Sequence, residues 1–166
     1  MTVAGISHEQ VIKTKGIDIF LEVARRLPKT PFELIGVESP EWMVRLGEVA
    51  PDNVKISPWI GRSALLAKFQ KHKVYVQLSA HEAFGLALAE AMACGCNAVV
   101  SDRGSLPEIV GRVGRVVSYG DIDSTTAAVA KALEEPGSDG GRKRVIEAFS
   151  IQRRKEHLLR ILRELR

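Results

Sequence analysis

Residues 74–101 read VYVQLSAHEAFGLALAEAMACGCNAVVS and contain the most informative pattern in the chain. The short apolar stretches at 74–78 and 97–101 are typical of buried β-strands. The segment between them is rich in small residues and predicts a helix that begins after Phe84. A strand, a helix and a second strand in this order form the unit from which parallel α/β sheets are built.

The same alternation extends through the rest of the chain. Further apolar stretches that predict strands lie at 3–6, 32–37, 54–56 and 114–117. Helical spacing of apolar residues is found at 17–27, 41–49, 63–71 and 123–134. Continuous apolar strands, as opposed to alternating ones, indicate a sheet that is covered on both faces. The predicted fold is therefore a doubly wound α/β domain with a parallel six-stranded sheet.

Length and composition describe one ordinary globular domain spanning 1–166. Hydrophobic residues make up 45% and charged residues 27%, which excludes a disordered chain, a collagen-like repeat and a disulfide scaffold. Cys94 and Cys96 are too close in sequence to form a normal disulfide and fit a reducing compartment. With no apolar run of membrane-spanning length and no N-terminal leader, we expect a cytoplasmic location.

The basic residues are concentrated at the end of the chain. The net charge is +4, but residues 142–166 carry +6 and the remainder carries −2. A terminal basic helix is predicted over 151–166, capped by Ser150. Its apolar stripe comprises Ile151, Leu158, Leu159, Leu162 and Leu165. The charge fits either a solvated face or contact with a partner subunit or the inner surface of an anionic membrane. Nucleic acid is not expected, because few aromatic residues accompany the charge.

Two glutamates mark the predicted ligand-binding edge of the sheet, which in this architecture lies beyond the carboxyl ends of the strands. Glu90 lies in an otherwise apolar helix that we expect to be buried, so it needs either a salt-bridge partner or a ligand. Glu82 lies in the preceding loop. The backbone amides of Phe84, Gly85 and Leu86 at the start of the helix would attract an anion.

Two other loops reach the same edge. Ser105 and Glu108 have the spacing of a capping box, and they follow Arg103 and Gly104 after the fifth strand. Lys13 and Lys15 are expected in a loop before a helix that begins near Gly16. Their charge and the helix dipole suit a phosphate, but two lysines in a loop also fit simple solvation.

The order of these motifs resembles a known family. Glu82, Phe84-Gly85, Glu90 and Cys94-Gly95 resemble the E-x7-E signature of retaining GT-B glycosyltransferases of the glycogen-synthase-like and mannosyltransferase-like group. Further blocks align in the same order at Lys15-Gly16, Ile35-Gly36, Ser101 to Glu108, Gly114 to Val117 and Gly120-Asp121. The resemblance covers nearly the whole chain. It identifies the fold as the Rossmann-like half of a GT-B enzyme, the C-terminal donor-binding domain.

The resemblance also implies a ligand and residue roles. The donor would be a UDP-, GDP- or ADP-sugar bound without a metal ion. Glu90 would bind the ribose hydroxyls, Glu82 would face the hydroxyls of the donor sugar, and Lys15 would neutralise the leaving diphosphate. The amides of Phe84, Gly85 and Leu86 would hold the sugar and the diphosphate. The backbone around Ile60 would meet the base, and Gly104, Ser105 and Leu106 would lie beside the phosphates.

Two departures from the family pattern leave an alternative open. Many members have an arginine that clamps the diphosphate after the first strand, but here Gly5 is followed by Ile6, so Lys13 or Arg103 would have to substitute. The N-terminal acceptor domain of the family is missing from this sequence. We therefore expect the donor-binding half of a glycosyltransferase, and the alternative is a non-catalytic nucleotide-sugar-binding or regulatory module.

Two other kinds of site are not supported by the sequence. A Rossmann dehydrogenase is excluded because no G-x-G-x-x-G follows the first strand. A zinc site at Cys94 and Cys96 lacks histidines at ligand spacing.

Overall fold

The computed structural model describes residues 1–165, and Arg166, the last residue of the predicted terminal helix, lies outside them. The strands are β1 (Thr2–Ile6), β2 (Phe32–Val37), β3 (Val54–Pro58), β4 (Val74–Gln77), β5 (Asn97–Ser101) and β6 (Arg115–Val117). The helices are α1 (Glu9–Lys15), α2 (Ile17–Arg26), α3 (Pro40–Val49), α4 (Arg62–Lys71), α5 (Leu86–Ala93), α6 (Leu106–Val110), α7 (Ile122–Glu134), α8 (Asp139–Phe149) and α9 (Ile151–Glu164). All six predicted strands are present, with small differences at their ends.

The strands form two parallel three-stranded sheets, β1-β2-β3 and β4-β5-β6. The sheets meet where the Met1 amino group donates to the Val74 carbonyl and the Val76 amide donates to the Met1 carbonyl, both at 2.8 Å. Beyond β4 the backbone bonds to α1, since the Ala80 amide donates to the Thr14 carbonyl at 2.8 Å. The expected parallel Rossmann-like α/β fold is confirmed, but its six strands are divided between two ladders instead of forming one.

Helices cover both faces of the strands, which is the doubly wound arrangement that continuous apolar strands predict. One core layer packs α2, α3 and α7 on the strands and includes Phe20, Leu34, Trp42, Val76, Val99 and Val129. The other packs α4, α5 and α6 on the opposite face and includes Phe69, Tyr75, Leu88, Val100 and Ile109. The strands meet these layers with alternate side chains, so Val74 and Val76 face one layer while Tyr75 faces the other.

Two helices were not predicted. The sequence of α1, EQVIKTK, has only two adjacent apolar residues and so lacks the spacing of a buried helix face, and none of its residues is buried. It carries Lys13 and Lys15 in its last turn, and the prediction that these lysines occupy a loop is wrong. The helix α8 starts with two glycines after its first residue, and glycine has a low helix propensity.

The predicted terminal helix is present as α9. Its N-cap is Ser150, whose hydroxyl accepts a hydrogen bond from the Arg153 amide at 3.3 Å. None of the described α9 residues is buried, and its apolar stripe is exposed, with Ile151 88% and Leu162 59% accessible. Within residues 1–165, no helix combines the length and apolar character needed to cross a membrane.

Candidate functional site

The candidate site lies at the carboxyl edge, which we define as the ends of β1, β4 and β5 with Lys15, residues 78–86, Glu90 and residues 102–106. Strand order reverses between β1 and β4, and this is where parallel α/β sheets bind ligands. Gly16 joins α1 to α2 with a φ of 63°. A Cβ atom at this position would collide with the Leu78 carbonyl. Glycine therefore allows the end of α1, with Lys15, to lie against the end of β4.

Glu82 is the centre of the polar contacts at this edge. Its Oε2 atom accepts hydrogen bonds from Lys15 Nζ at 2.9 Å and from Gln77 Nε2 at 2.7 Å. The Glu82 side chain is only 14% exposed. Lys15 and Glu82, both named as candidate site residues from the sequence, are 67 positions apart in the chain. The structure brings them together as an ion pair.

The loop after β5 supports the backbone of Glu82. Gly104 has a φ of 57°, and a Cβ atom there would collide with the Glu82 carbonyl oxygen. That oxygen accepts from the Ser105 amide at 3.2 Å and from Ser105 Oγ at 3.3 Å. Ser105 Oγ also lies 2.9 Å from the Phe84 carbonyl, to which it donates. These contacts fix the loop that presents Glu82.

The structure contradicts the capping-box interpretation of Ser105. Its side chain makes no cap hydrogen bond to α6, because the hydroxyl donates to the loop of Glu82 and Phe84 instead. Leu106, expected beside the phosphates, has a fully buried side chain, and its amide donates to the Arg103 carbonyl at 3.3 Å.

The start of α5 is less buried than its apolar sequence predicted. Gly85 is the N-cap residue with a φ of 84°, and it packs against Leu106 and Ile109. Phe84 and Leu86 are 42% and 61% exposed, because the first turn of α5 faces the carboxyl edge and not the core. The first turn of α5 therefore lies next to Glu82, with the Phe84 and Leu86 side chains exposed and Gly85 buried.

Glu90 has a salt-bridge partner. Arg62 Nη2, on the first residue of α4, lies 2.9 Å from Glu90 Oε1. Glu90 is 18% exposed and Arg62 is 76% exposed. Ile60, two residues before Arg62, packs partly buried against the core layer of α4 and α5. The salt bridge that the sequence analysis considered for Glu90 is therefore present, with Arg62 as its partner.

Sequence reasoning missed Gln77 and Tyr75, which point to the same face of β4 because they are two residues apart. Burial raises the pKa of the Tyr75 phenol well above its usual range, and the negative charges of Glu82 and Glu90 act in the same direction. Gln77 is 6% exposed, and its Nε2 atom contacts Glu82. A polar residue ending the apolar stretch VYVQ is the signal that could have identified Gln77.

The two candidate replacements for the missing arginine are engaged elsewhere. Lys13 Nζ pairs with Asp18 Oδ2 at 2.5 Å. The Arg103 guanidinium lies 3.3 Å from Asp102 Oδ1 and 5.8 Å from the centre of the Tyr119 ring. A Cβ atom on Gly5 would lie 2.6 Å from Glu38 Oε1, so the nearest charged group at this position is a carboxylate. Lys15 is the cation that the fold brings to Glu82.

Taken together, the carboxyl edge offers a carboxylate held by a lysine and an amide, the exposed first turn of a helix and a second carboxylate. Such an arrangement suits a ligand that has both hydroxyl groups and negative charge. Across the described part of the chain, no group of three or more His, Cys, Asp and Glu side chains is arranged to hold a metal ion.

Comparison with known proteins gives one family match. A model of the family described as "Glycosyl transferases group 1" matches residues 6–155. This range includes every candidate site residue identified above.

Among curated proteins, the chain is similar to the MMP alpha-(1->4)-mannosyltransferase of Mycolicibacterium hassiacum, with 37% identity over 109 residues. That alignment covers 61% of this chain and 26% of the relative. It is also similar to the D-inositol 3-phosphate glycosyltransferase of Mycolicibacterium paratuberculosis, with 30% identity over 132 residues, or 74% of this chain and 30% of the relative. The chain spans about a quarter to a third of the length of these relatives.

Solved structures share the fold. Sucrose-phosphate synthase from Thermosynechococcus elongatus has a TM-score of 0.81 at 23% identity, covering 99% of this chain and 45% of that one. The C-terminal domain of a glycosyl transferase group 1 family protein from Francisella tularensis has a TM-score of 0.71 at 20% identity. In that case the match covers 90% of this chain and 85% of the other.

Proposed function

Because this chain belongs to the glycosyl transferases group 1 family, we propose that it is the nucleotide-sugar-binding domain of a retaining glycosyltransferase that transfers a hexose. The chain has the size of one half of such an enzyme, since it covers 45% of the sucrose-phosphate synthase chain with the same fold. In this proposal the acceptor-binding half is a separate N-terminal domain. Transfer requires both halves, and this chain supplies the donor side.

The observation that carries the proposal is the grouping of Lys15, Glu82 and the first turn of α5 at the switch between β1 and β4. A cation and free helix amides suit a diphosphate, while a carboxylate accepts hydrogen bonds from hydroxyl groups. A nucleotide sugar combines these two kinds of group in one molecule. No metal ion is part of this proposal.

We assign the following roles at the carboxyl edge. Lys15 and the amides of Phe84, Gly85 and Leu86 bind the diphosphate, and Glu82 binds hydroxyls of the donor sugar. Gly104 brings its loop close to the phosphates, with Ser105 and Leu106 shaping that loop. When the bond between the sugar and the diphosphate breaks, negative charge develops on the leaving phosphate. Lys15 and the α5 amides would stabilise that charge, the kind of electrostatic effect that often dominates catalysis.

The nucleoside is assigned to the neighbouring part of the edge. Glu90 lies in the middle of α5, eight positions after Glu82, and as a carboxylate it can accept hydrogen bonds from two ribose hydroxyls. Ile60 is close to the α4 start and offers its backbone to the base. In the free chain Arg62 holds Glu90, so ribose binding would share or replace that 2.9 Å contact.

The alternative function is a module that binds a nucleotide sugar without transferring it. One observation favours this alternative: the position after Gly5 holds the buried Ile6, and the charged group next to Gly5 is the carboxylate of Glu38. A carboxylate at this position would repel a diphosphate. Activity of the two-domain protein separates the alternatives, because a non-catalytic module would not transfer sugar when the second domain is present.

Binding to the chain itself tests the donor role. Isothermal titration with UDP, GDP, ADP and their hexose derivatives should show weak binding of one nucleotide family. An assay with radiolabelled donor should show no transfer by the isolated chain. If none of these ligands binds, the proposed function is wrong, and turnover by the isolated chain would contradict the assignment as one half of an enzyme.

Two isosteric variants separate the roles of the glutamates. Glu90→Gln should weaken binding of the plain nucleoside diphosphate, whereas Glu82→Gln should weaken only the sugar-bearing ligand. Glu48→Gln, at an exposed position of α3, is the matched control and should change neither. If Glu90→Leu lowers stability and leaves binding intact, Glu90 serves only its salt bridge with Arg62.

The exposed helix α9 provides a surface for the rest of the protein. A cavity of about 880 Å³ lies between the start of α5 and α9, with Phe84, Leu86 and Ile151 among its lining residues. We propose that the N-terminal domain covers this apolar surface.

The arginines of α9 have a second proposed role. We propose that they contact anionic lipid at the inner face of a membrane. Flotation with anionic vesicles, but not neutral ones, would support the lipid contact. Flotation that persists after removal of α9 would exclude the helix from it.

A further inference from the structure

Gln77 is a polar residue placed where the rest of its strand is apolar. It is the last residue of β4 and is 94% buried. Its Nε2 atom donates to Glu82 Oε2 at 2.7 Å. Because an ionised carboxylate only accepts hydrogen bonds, this contact fixes the amide with its nitrogen toward Glu82 and its oxygen away from it.

The oxygen of the same amide is left without a partner. Gln77 Oε1 is buried and has no hydrogen-bond partner among residues 1–165. A buried carbonyl oxygen without a partner destabilises a fold, whereas an apolar side chain of the same shape would have no such penalty. The hydrogen bond to Glu82 therefore comes with a loss of stability that a methionine at this position would avoid.

Gln77 also acts on the same oxygen atom as Lys15. Both donors reach Glu82 Oε2, from different elements, so they hold that oxygen from two directions. The backbone of Glu82 is fixed separately by Ser105. With the backbone and Oε2 held, the Glu82 carboxylate would keep its contact with Gln77 if Lys15 turned to a negatively charged ligand.

We propose that Gln77 is a positioning residue that orients the Glu82 carboxylate toward the donor sugar and is retained at the expense of stability. The inference rests on the proposed function, since it assumes that Glu82 binds the sugar. It predicts opposite effects of one substitution. Removing the amide should leave stability equal or higher and should weaken binding of the sugar.

The test uses Gln77→Met, which has nearly the same shape and no amide. Its unfolding temperature should equal or exceed that of the unmodified chain. Its Kd for the nucleoside diphosphate should stay within about twofold, while its Kd for the same nucleotide carrying a hexose should rise about five- to tenfold. Gln70→Met, at an exposed position of α4, is the matched control and should change neither Kd.

A double-mutant cycle separates positioning from a direct contact. If Gln77 acts through Glu82, Gln77→Met should have no further effect on hexose binding in a Glu82→Gln background. Additive losses would overturn the inference, as would equal losses for both ligands, or a Gln77→Met chain that is less stable or does not fold. Failure of the unmodified chain to bind either ligand would instead overturn the proposed function, and this inference with it.

Discussion

The two edges of the sheets use their polar side chains differently. At the amino edge, defined as the strand beginnings with Glu33, Asn53, His72, Cys96 and Asn97, polar groups bond within the chain. Asn53 Nδ2 contacts three carbonyls, those of Ala24, Leu27 and Thr30, at 2.8 to 3.0 Å. At the carboxyl edge, Gln77 Oε1 and Ser79 Oγ are buried without a partner in the described chain.

Charged groups differ in the same way. Glu33 at the amino edge is 7% exposed, and both of its oxygens have a neighbour: Lys68 pairs with Oε1 at 2.6 Å and the His72 ring lies 3.3 Å from Oε2. Glu82 and Glu90 at the carboxyl edge are about twice as exposed or more, and each pairs with a single cation, Lys15 or Arg62. The amino edge has the contacts of a structural support. The carboxyl edge keeps groups available for a ligand, so substitutions at the two edges should affect different measurements.

The largest expected effect is on stability at the amino edge. Asn53→Ala removes two N–H donors that are shared among three carbonyls, and at about 1–1.5 kcal/mol for each donor the free energy of unfolding should fall by about 2–3 kcal/mol. Urea denaturation followed by circular dichroism measures this change. Asp52→Ala, at the exposed neighbouring position, should change the free energy by less than about 0.5 kcal/mol. A large loss of nucleotide affinity in Asn53→Ala at a temperature where it is folded would contradict the division between the edges.

The next effect is on binding at the carboxyl edge. Lys15→Met removes a charged hydrogen bond of about 1.5–3 kcal/mol to the diphosphate, so the Kd for the nucleoside diphosphate should rise about ten- to a hundredfold. The unfolding free energy should change by no more than about 1 kcal/mol, because the ion pair with Glu82 is partly exposed.

A control variant separates a specific role of Lys15 from a general effect of positive charge. Lys13→Met, two positions earlier on the exposed side of α1, serves as the control and should leave binding within about twofold. If both lysine variants weaken binding to the same degree, the effect is one of general charge, and the specific role of Lys15 is wrong.

A smaller effect is the pH dependence of stability at the amino edge. Burial lowers the pKa of His72 from its ordinary value of 6.5, and it outweighs the opposing influence of Glu33. The neutral form is therefore favoured by folding, and the unfolded chain binds the proton more readily. His72 contributes full stability above pH 6.5, and this contribution is lost as the pH falls below that value, with a slope under about 1.4 kcal/mol per pH unit.

The free energy of unfolding between pH 7.5 and pH 5 tests this sign. His72→Asn should have a shallower dependence over that range than the unmodified chain. Glu33, Lys68 and the Met1 amino group face His72, so they remain in both proteins and their contributions are shared. A steeper dependence in His72→Asn would show that pairing with Glu33 outweighs burial.

The contrast between the edges also explains what the sequence could predict. Continuous apolar stretches identified all six strands, because buried parallel strands need apolar residues on both faces. Motif spacing brought Glu82, Glu90 and the α5 start to one edge, since the carboxyl ends of parallel strands share it. The division into two sheets was not predictable, because it depends on the few backbone contacts between Met1 and residues 74 and 76, which periodicity does not encode.

Contacts between distant segments were the main omission. The hydrogen bond from Gln77 to Glu82 and the ion pairs of Glu90 and Glu33 depend on how elements pack, which periodicity does not encode. Hydropathy also predicted a buried α5, and only the fold shows that Leu86 faces the open edge. The resemblance to a family supplied the ligand class, which composition and periodicity alone did not.

The smallest expected effect comes from α9, which belongs to neither edge. No described residue of this helix is buried, so removing it exposes little apolar surface and should cost little free energy. A chain that ends at Ser150 should unfold within about 2 °C of the full chain, because a domain of this size shifts by about 2–4 °C per kcal/mol. Differential scanning calorimetry of both chains at several concentrations makes the comparison. A larger fall in the unfolding temperature would mean either that α9 packs on the domain or that it joins two copies of the chain. Only association makes the unfolding temperature depend on protein concentration, so the concentration series separates the two explanations.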